Sequence, residues 1–463
     1  MIVNVAGAGA GKTSMMADLI TDFCIPEGKV LFCIAFTNAA AENIENKVVK
    51  KLGAVPSNIR ISTIHSFLYQ ELIDPFYYFL YGKQFERLSV INLSKDQRYK
   101  NAKLSELENG NILHYTKIPE KAKWVAYQKS GDKREVKAVR SKLLGHFARY
   151  CAAIFVDEAQ DISEDIKLSL EGLEKAGVNI YLYGDPKQDI KGFGCFKEII
   201  ENTSSVQYIP HCYRCPQIHL NLSNMLASEA QQQLADIHNA DGSIVVVFES
   251  ETKDTKQFIN DGEYGLKYIS MKRPRFETHE LQREDKRFET LNHEVYRAMT
   301  DKWYGIKSEK ELLRAAFYIT EQMIEAYDKE SDVSRIISKW LKANAYDQLS
   351  RQRYAQMASA FPKDNSAEND TLVIPSIESV KGMEAERCLF VLTSDLAPYL
   401  FGEKKEDNKT SHLLYVALTR SLDHLTIFVT TEVEKKYSKS HIQEFFKLLY
   451  GEDNKITVLI KSA

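Results

Sequence analysis

The sequence predicts an α/β protein in which parallel sheets are interrupted by two mostly helical inserts. Three observations predict it. A short apolar strand, Ile2-Val3-Asn4-Val5, runs into the small-residue loop Ala6-Gly7-Ala8-Gly9-Ala10-Gly11, with a helical stretch over residues 15–23. Further apolar runs recur at residues 30–35, 152–156, 178–183, 388–392 and 425–429, several closely followed by polar or acidic residues. Such runs, alternating with helical patterns, are what strands buried on both faces of a parallel sheet require. Two long stretches of different texture, 67–149 and 251–370, separate the groups of runs.

The chain of 463 residues is long enough for about three domains of roughly 150 residues each. Hydrophobic residues at 44% and charged residues at 27% are ordinary for a folded globular protein and exclude disorder or a fibrous repeat. Seven cysteines are too few for a disulfide framework, and neighbours such as Phe23-Cys24 and Phe32-Cys33-Ile34 favour reduced, buried thiols and a cytoplasmic location. No window approaches the ~18 uninterrupted apolar residues of a membrane helix, and no signal region follows Met1, so neither membrane insertion nor secretion is expected. The net charge of −3 argues against a simple basic nucleic-acid binder.

The glycine-rich loop departs by one residue from the pattern G-x-x-x-x-G-K-[ST], because Ala6 stands at the first glycine. Its chemistry is intact. Small residues from Ala6 to Gly11 allow backbone N–H groups to close around phosphate oxygens at a helix N-terminus, Lys12 reaches the β/γ-phosphates, and Thr13, followed by Ser14, offers a hydroxyl to Mg²⁺. ATP or GTP binding follows. A second anchor, Ile154-Phe155-Val156-Asp157-Glu158-Ala159-Gln160-Asp161, ends an apolar strand in adjacent acids. Asp157 suits the Mg²⁺ shell and Glu158 suits activation of a water for in-line displacement at the γ-phosphate. Two acids alone could equally be a solvated strand end; in a chain already carrying the loop they point to hydrolysis.

With these two anchors the chain resembles the UvrD/Rep-like group of superfamily 1 DNA helicases, and the likeness continues in order. Ala35-Phe36-Thr37-Asn38-Ala39-Ala40-Ala41 and Ser62-Thr63-Ile64-His65-Ser66-Phe67 resemble its first DNA-contacting motifs, and Gly184-Asp185-Pro186-Lys187-Gln188-Asp189-Ile190 resembles its third motif. Tyr213-Arg214, the run from Ser376 to Glu384, and Tyr415-Val416-Ala417-Leu418-Thr419-Arg420 resemble the fourth, fifth and sixth. The resemblance implies two RecA-like lobes, the first formed by 1–66 and 150–206, the second by 207–250 and 371–463. It implies a basic helical insert at 67–149 and a reduced helical insert at 251–370, each the counterpart of an accessory domain. It further implies an ATP- and Mg²⁺-dependent motor on single-stranded or tailed double-stranded DNA, moving 3′ to 5′.

The same resemblance assigns roles. Arg214 and Arg420 act as arginine fingers on the γ-phosphate, Gln188 senses it, Tyr213 stacks on the adenine and Glu384 binds the ribose. Phe36, Thr37, Asn38, Thr63, His65 and Phe193 line the DNA track, where aromatic stacking ignores base identity because every base has a π-face; ordinary core packing competes for Phe36 and Phe193. In size and in its Gly-Asp-Pro-Lys-Gln and Tyr-Arg-Cys segments, the chain also resembles compact helicases of Gabija-type anti-phage systems, which work with an OLD-type nuclease. The rival reading is a DNA-sensing regulatory ATPase that switches such a partner without productive unwinding; a simple P-loop kinase has no use for the fifth and sixth motifs.

The match has gaps. The glutamine-bearing motif usual upstream of the loop is missing, and Asp189, Lys191, Gly194, Glu378 and Ala39 replace residues usual along the DNA track. The window 117–149 carries ten basic residues against three acids, a local +7, with Trp124 and Tyr127 interleaved. It is either a solvated helix face or a phosphate-tracking surface. His211, Cys212, Cys215 and His219 could just supply four zinc ligands, but no second Cys-x-x-Cys exists and Tyr213-Arg214 already has a nucleotide role, so zinc is disfavoured. At residues 312, 316, 319, 323 and 327 apolar side chains share one helix face, which reads as packing.

Overall fold

The computed structural model describes the chain except residues 95, 274, 279–283, 304–307, 344–348, 362–371, 452–455 and 460–463. The polar stretch 362–370 that precedes the strand expected at 371–374, and the insert boundary expected there, lie outside the described residues. The fold is α/β, with parallel sheets and helical inserts.

The first sheet contains β1 (Ile2–Ala6), β2 (Val30–Ala35), β3 (Ile59–Thr63), β4 (Cys151–Val156), β5 (Ile180–Gly184) and β6 (Val206–Ile209). Their order is β3-β2-β4-β5-β1-β6 and every pairing is parallel. All six residues of β2 are buried, as a strand covered on both faces demands. Successive side chains point to opposite faces. Leu31 and Cys33 therefore meet Met16 and Ile20 of helix α1 (Lys12–Asp22) and Ile44 and Val48 of α2 (Asn38–Leu52). Phe32 faces the other way, with the rings of Phe67 and Phe147 at 5.2 and 5.9 Å.

That aromatic contact places the basic window. Helix α3 (Arg134–Tyr150) carries Phe147 onto the first sheet, so this helix of the +7 stretch is part of the sheet's own cover. Its aromatics are used internally. The Lys121 and Lys129 ammonium groups stand 4.0 and 4.3 Å from the centre of the Trp124 ring, and Lys175 stands 4.7 Å from that of Tyr127, at cation–π range. Arg140, buried, donates through Nε to the Trp124 carbonyl at 3.1 Å and pairs with Asp132. Lys133, Arg134, Lys137, Lys142 and Arg149 remain on the surface.

A second sheet contains β7 (Ser243–Phe248), β8 (Leu266–Ile269), β9 (Ala385–Leu392), β10 (Ser421–Val429) and β11 (Ile456–Leu459) in the order β8-β9-β10-β7-β11, again all parallel. Its core includes Val246, Phe248, Tyr268, Phe390 and Ile427. The sheet takes a strand from beyond residue 250, where the sequence reading begins a helical insert: β8 pairs with β9 from Leu266↔Cys388 to Ile269↔Val391. Four residues flanked by glycines and polar groups carry too little periodicity to announce such a strand.

By its contacts the chain divides into one unit of residues 1–80, 119–280 and 370–463, containing both sheets, and another of residues 81–118 and 281–369. The second unit is mainly helical: Glu284–Trp303, Glu309–Glu330, Val333–Ala343 and Arg351–Ser359 pack around Val295, Ala316, Ile337 and Met357. Leu312, Ala316 and Met323 are buried in this core while Ile319 and Tyr327 pack at its rim, so the stripe read from sequence is a packing face. Ser308 and Glu311 form a reciprocal capping box at the start of its longest helix.

Candidate functional site

In an open parallel sheet the ligand site lies beyond the carboxyl ends of the strands. In the first sheet the residues following β1, β2, β3, β4 and β5 all emerge there: the small-residue loop, Phe36, His65, Asp157-Glu158 and Asp185. Strand β5 lies between β1 and β4, so Gly184-Asp185 issues between the loop and the acidic pair.

The loop is shaped for anions. Gly9 and Gly11 take left-handed φ values of 70° and 74°, which a side chain resists. Gly11 precedes α1 without any side-chain cap, leaving the first helical N–H groups to be satisfied by something else. By contrast α2 is capped: the Thr37 hydroxyl accepts from Ala40 N at 3.1 Å. Lys12 is buried and folds back, its Nζ donating to the carbonyls of Ala6 and Gly7 at 3.2 Å each. Ala6, Gly7, Ala8 and Ala10 are buried, whereas Ser14 is exposed and accepts from Lys47 Nζ at 2.7 Å.

The acidic pair closes on the loop. Thr13 Oγ1 donates to Asp157 Oδ2 at 2.8 Å, bringing together a hydroxyl and a carboxylate, the hard oxygen donors that suit Mg²⁺. Burial, reinforced by Glu158, pushes the Asp157 carboxyl up to about 6. Glu158 is pushed up by its own burial, but the Lys12 and Lys381 cations and a hydrogen bond from Gln160 outweigh that and leave it below the usual range. Its backbone is left-handed, φ 54°, an uncommon conformation for this residue type that the surrounding packing must hold. From Glu158 a polar chain runs through the Gln160 amide to Asp185, whose N–H donates to Gln160 Oε1 at 3.0 Å, and on to Gln188 Nε2, which donates to Asp185 Oδ2 at 2.9 Å.

Residues from far along the chain cover the loop. Tyr213 N donates to Gly9 O at 2.8 Å, and a Cβ at Gly11 would lie 3.5 Å from the Tyr213 ring, which is itself exposed. A Cβ at Gly9 would overlap Arg214, whose Nε lies 2.5 Å from Glu384 Oε2. The residues assigned to guanidinium and ribose roles thus pair with one another. Arg420 is fully buried: Nε donates to Val416 O at 3.0 Å, and its two terminal nitrogens to Met383 O at 3.3 Å and Thr419 Oγ1 at 3.1 Å. In this arrangement Arg420 ties the end of its own helix to Met383, and the Arg214 charge acts on it.

Tyr415 and Gln233 are the residues sequence reasoning missed. The Tyr415 hydroxyl accepts from Ala8 N at 3.1 Å and donates to Gln233 Oε1 at 2.9 Å, while Gln233 Nε2 donates to Ala8 O at 3.1 Å. Tyr415 stands inside a recognised motif, but Gln233 ends an unpatterned Gln231-Gln232-Gln233 run and leaves no local signal. Lys187 Nζ lies 5.0 Å from the centre of the Tyr415 ring and donates to Gln231 O at 3.0 Å.

The cysteine cluster serves the same cover. Cys212 Sγ lies 3.2 Å from Ala8 O, and Cys215 Sγ lies 3.5 Å from Thr419 O. Hydrogen bonds from the Cys215 thiol and nearby backbone N–H groups bring Cys212 down to about 6. His219 Nε2 bonds to Ser243 O at 3.0 Å, and His211 is exposed. No group of three or more His, Cys, Asp or Glu suited to a metal ion occurs among the described residues.

Of the expected track residues, Phe36, His65 and Phe193 gather around Lys191. Its Nζ lies 5.5 Å from the centre of the Phe36 ring and 6.0 Å from that of Phe193, and its charge, after burial, holds His65 below the usual histidine range. Thr63 Oγ1 accepts from Ser66 N at 3.3 Å and so caps a short helix, as Thr37 caps α2; Asn38 is exposed at the start of α2.

Residues 1–194 match the family model described as an AAA domain. No curated protein matches the chain. Among solved structures it is similar to Arterivirus nonstructural protein 10 (helicase), determined in complex with DNA, at 11% identity and TM-score 0.35, covering 92% of this chain and 60% of that one. It is also similar to the PRRSV helicase at 10% identity and TM-score 0.33, covering 92% of this chain and 52% of that one. The chain therefore spans less than two thirds of either. No helix among the described residues is long and apolar enough to cross a membrane.

Proposed function

We propose that the chain is an ATP-driven translocase or helicase acting on single-stranded or tailed double-stranded DNA. The observation that carries this is the convergence, at one sheet edge, of an uncapped helix N-terminus bearing Lys12, the Thr13–Asp157 hydroxyl–carboxylate pair, and Glu158. Backbone N–H groups of the loop hold phosphate oxygens, and Lys12 exchanges its two carbonyl bonds for the β/γ-phosphates. Thr13 and Asp157 would hold Mg²⁺, which when bound neutralises charge developing on the phosphates. Glu158, kept ionised by Lys12 and Lys381, orients the attacking water and accepts its proton. Arg214, released from Glu384, supplies cationic stabilisation, and Gln188 reads the γ-phosphate through the Asp185–Gln160–Glu158 chain.

Movement 3′ to 5′ and a DNA track over Phe36 and Phe193 are part of the same reading. A second reading is a DNA-sensing regulatory ATPase that switches an OLD-type partner nuclease in anti-phage defence without productive unwinding; in it the bonds of Tyr415 and Gln233 to Ala8 are the contacts that nucleotide displaces. ATP hydrolysis measured with and without single-stranded DNA, then strand separation on duplexes with either tail, tests both. Stimulated hydrolysis with unwinding of 3′-tailed duplexes supports the motor, stimulation without unwinding supports the sensor, and hydrolysis indifferent to DNA defeats both.

A further inference from the structure

Beside the nucleotide site lies a charge arrangement that the proposed catalytic scheme does not use. Asp161, which follows the acidic pair, has an oxygen on each of two lysines: Oδ1 accepts from Lys381 Nζ at 2.9 Å, and Oδ2 lies 3.2 Å from Lys191 Nζ. The two ends differ. Lys381 is largely covered and acts electrostatically on Glu158, whereas the Lys191 side chain is 46% exposed, with its Nζ within 6.0 Å of the centres of both the Phe36 and Phe193 rings. Phe193 is itself exposed, 44% of its surface open. A partly exposed ammonium beside two aromatic rings offers both things a single strand needs, a π-face for a base and a cation for a phosphodiester. All of it stands at the carboxyl edge of the sheet, after β2, β4 and β5.

We propose that Lys191 binds a strand phosphodiester in competition with Asp161, so that strand binding breaks the Lys191–Asp161 pair and leaves Asp161 to Lys381 alone. This rests on the DNA-motor reading above and adds to it a binding residue and a competing anion. The pair is open to solvent at its Lys191 end while Asp161 is buried, and Asp161 keeps Lys381 when the pair breaks, so a phosphodiester can compete for Lys191 without leaving the buried carboxylate unpaired. The displacement lies one ion pair away from the lysine that acts on Glu158, which gives strand occupancy a short electrostatic route to the hydrolytic site.

The test is binding of fluorescent oligo-dT across a salt series. Wild type binds with a log–log salt slope; Lys191→Ala weakens binding and reduces that slope by about 0.7, the share of one single-strand phosphate contact. Lys191→Glu weakens it further. Asp161→Asn, with the competing anion gone, tightens binding several-fold, and Lys253→Ala, an exposed lysine elsewhere, leaves the slope unchanged. Because Lys191 is exposed, its replacement does not threaten the fold, and the lysine variants decide the matter even if Asp161→Asn is unstable. If wild type binds oligo-dT and Lys191→Ala keeps the full slope, the assignment is overturned while the motor reading stands. A stable Asp161→Asn that binds no more tightly overturns the competition. If wild type binds no oligo-dT with or without nucleotide, the motor reading itself fails.

Discussion

Replacing Tyr415 by phenylalanine removes one oxygen atom from a ring that is 1% exposed, and the consequences for the phosphate loop can be worked through. The hydroxyl accepts from Ala8 N and donates to Gln233 Oε1, at 3.1 and 2.9 Å. Tyr415→Phe would leave both groups buried without that partner, at about 1–3 kcal/mol for each unsatisfied group. The Gln233 Nε2 bond to Ala8 O survives and limits rearrangement, so a loss of about 2–3 kcal/mol in the nucleotide-free protein is expected. Binding moves the other way. In wild type a phosphate oxygen must displace the hydroxyl from Ala8 N, whereas in the variant that N–H is already unpaired. A net hydrogen bond of about 1 kcal/mol then appears as roughly fivefold tighter binding. Urea denaturation without nucleotide and isothermal titration calorimetry with a non-hydrolysable ATP analogue measure the two terms. A folded Tyr415→Phe protein that binds the analogue more weakly would refute the reasoning, because the hydroxyl would then be a nucleotide ligand and not a competitor.

Three further outcomes are expected. Lys12→Ala should cost only about 1 kcal/mol of stability, since its ammonium is bonded to two loop carbonyls, yet lower phosphate release by about a hundredfold or more; full turnover would show that the loop is not the phosphate site. Arg420→Ala should destabilise by about 3 kcal/mol or more, because it strips donors from Val416 O and Met383 O and opens a buried cavity; an unchanged urea midpoint would mean the guanidinium is not bracing that segment. His412 bonds Asp189 O at 3.0 Å and Asp407 Oδ1 at 2.7 Å. Burial opposes its charge, but those bonds raise His412 above the usual histidine range, while His412, acting against burial, and Lys197 hold Asp407 well below the carboxylate range. With the folded histidine raised, its contribution is complete below about pH 6.5 and fades as pH rises through the folded value; that of Asp407 is complete above about pH 4 and fades on acidification. Melting curves of wild type and His412→Gln across pH should show the wild-type advantage complete below about pH 6.5 and shrinking as pH rises above it.

Much of this protein was legible before any coordinates. Consecutive residues make the phosphate loop, so Ala6 to Thr13 could be read directly, as could the adjacent acids after a buried run. The apolar runs at 30–35, 152–156 and 425–429 all lie within parallel strands because a strand covered on both faces has no polar face to blur its pattern. Strand β8 escaped because four residues cannot establish a period, and the Trp124 region stayed open because composition counts cations without saying that Lys121 and Lys129 stand over one indole while Arg140 bonds to the Trp124 carbonyl.

The difference comes down to separation along the chain. Local chemistry, meaning a loop, a cap or an acidic pair, is written in neighbouring residues and needs no partner to be recognised. Ala8 and Tyr415 are 407 positions apart, Ala8 and Gln233 are 225 apart, and Asp161 and Lys381 are 220 apart. Their meeting depends on two parallel sheets folding so that distant segments reach one edge, where burial makes each unpaired donor costly enough to demand a partner. The sequence by itself determined that a small-residue loop leads into a helix bearing Lys12 and Thr13, and that an adjacent acid pair follows a buried strand. Only the tertiary structure decided that Tyr415 and Gln233 bond to Ala8, that the Arg420 guanidinium bonds to Val416, Met383 and Thr419, and that Lys191 pairs with Asp161 within reach of the Phe36 and Phe193 rings.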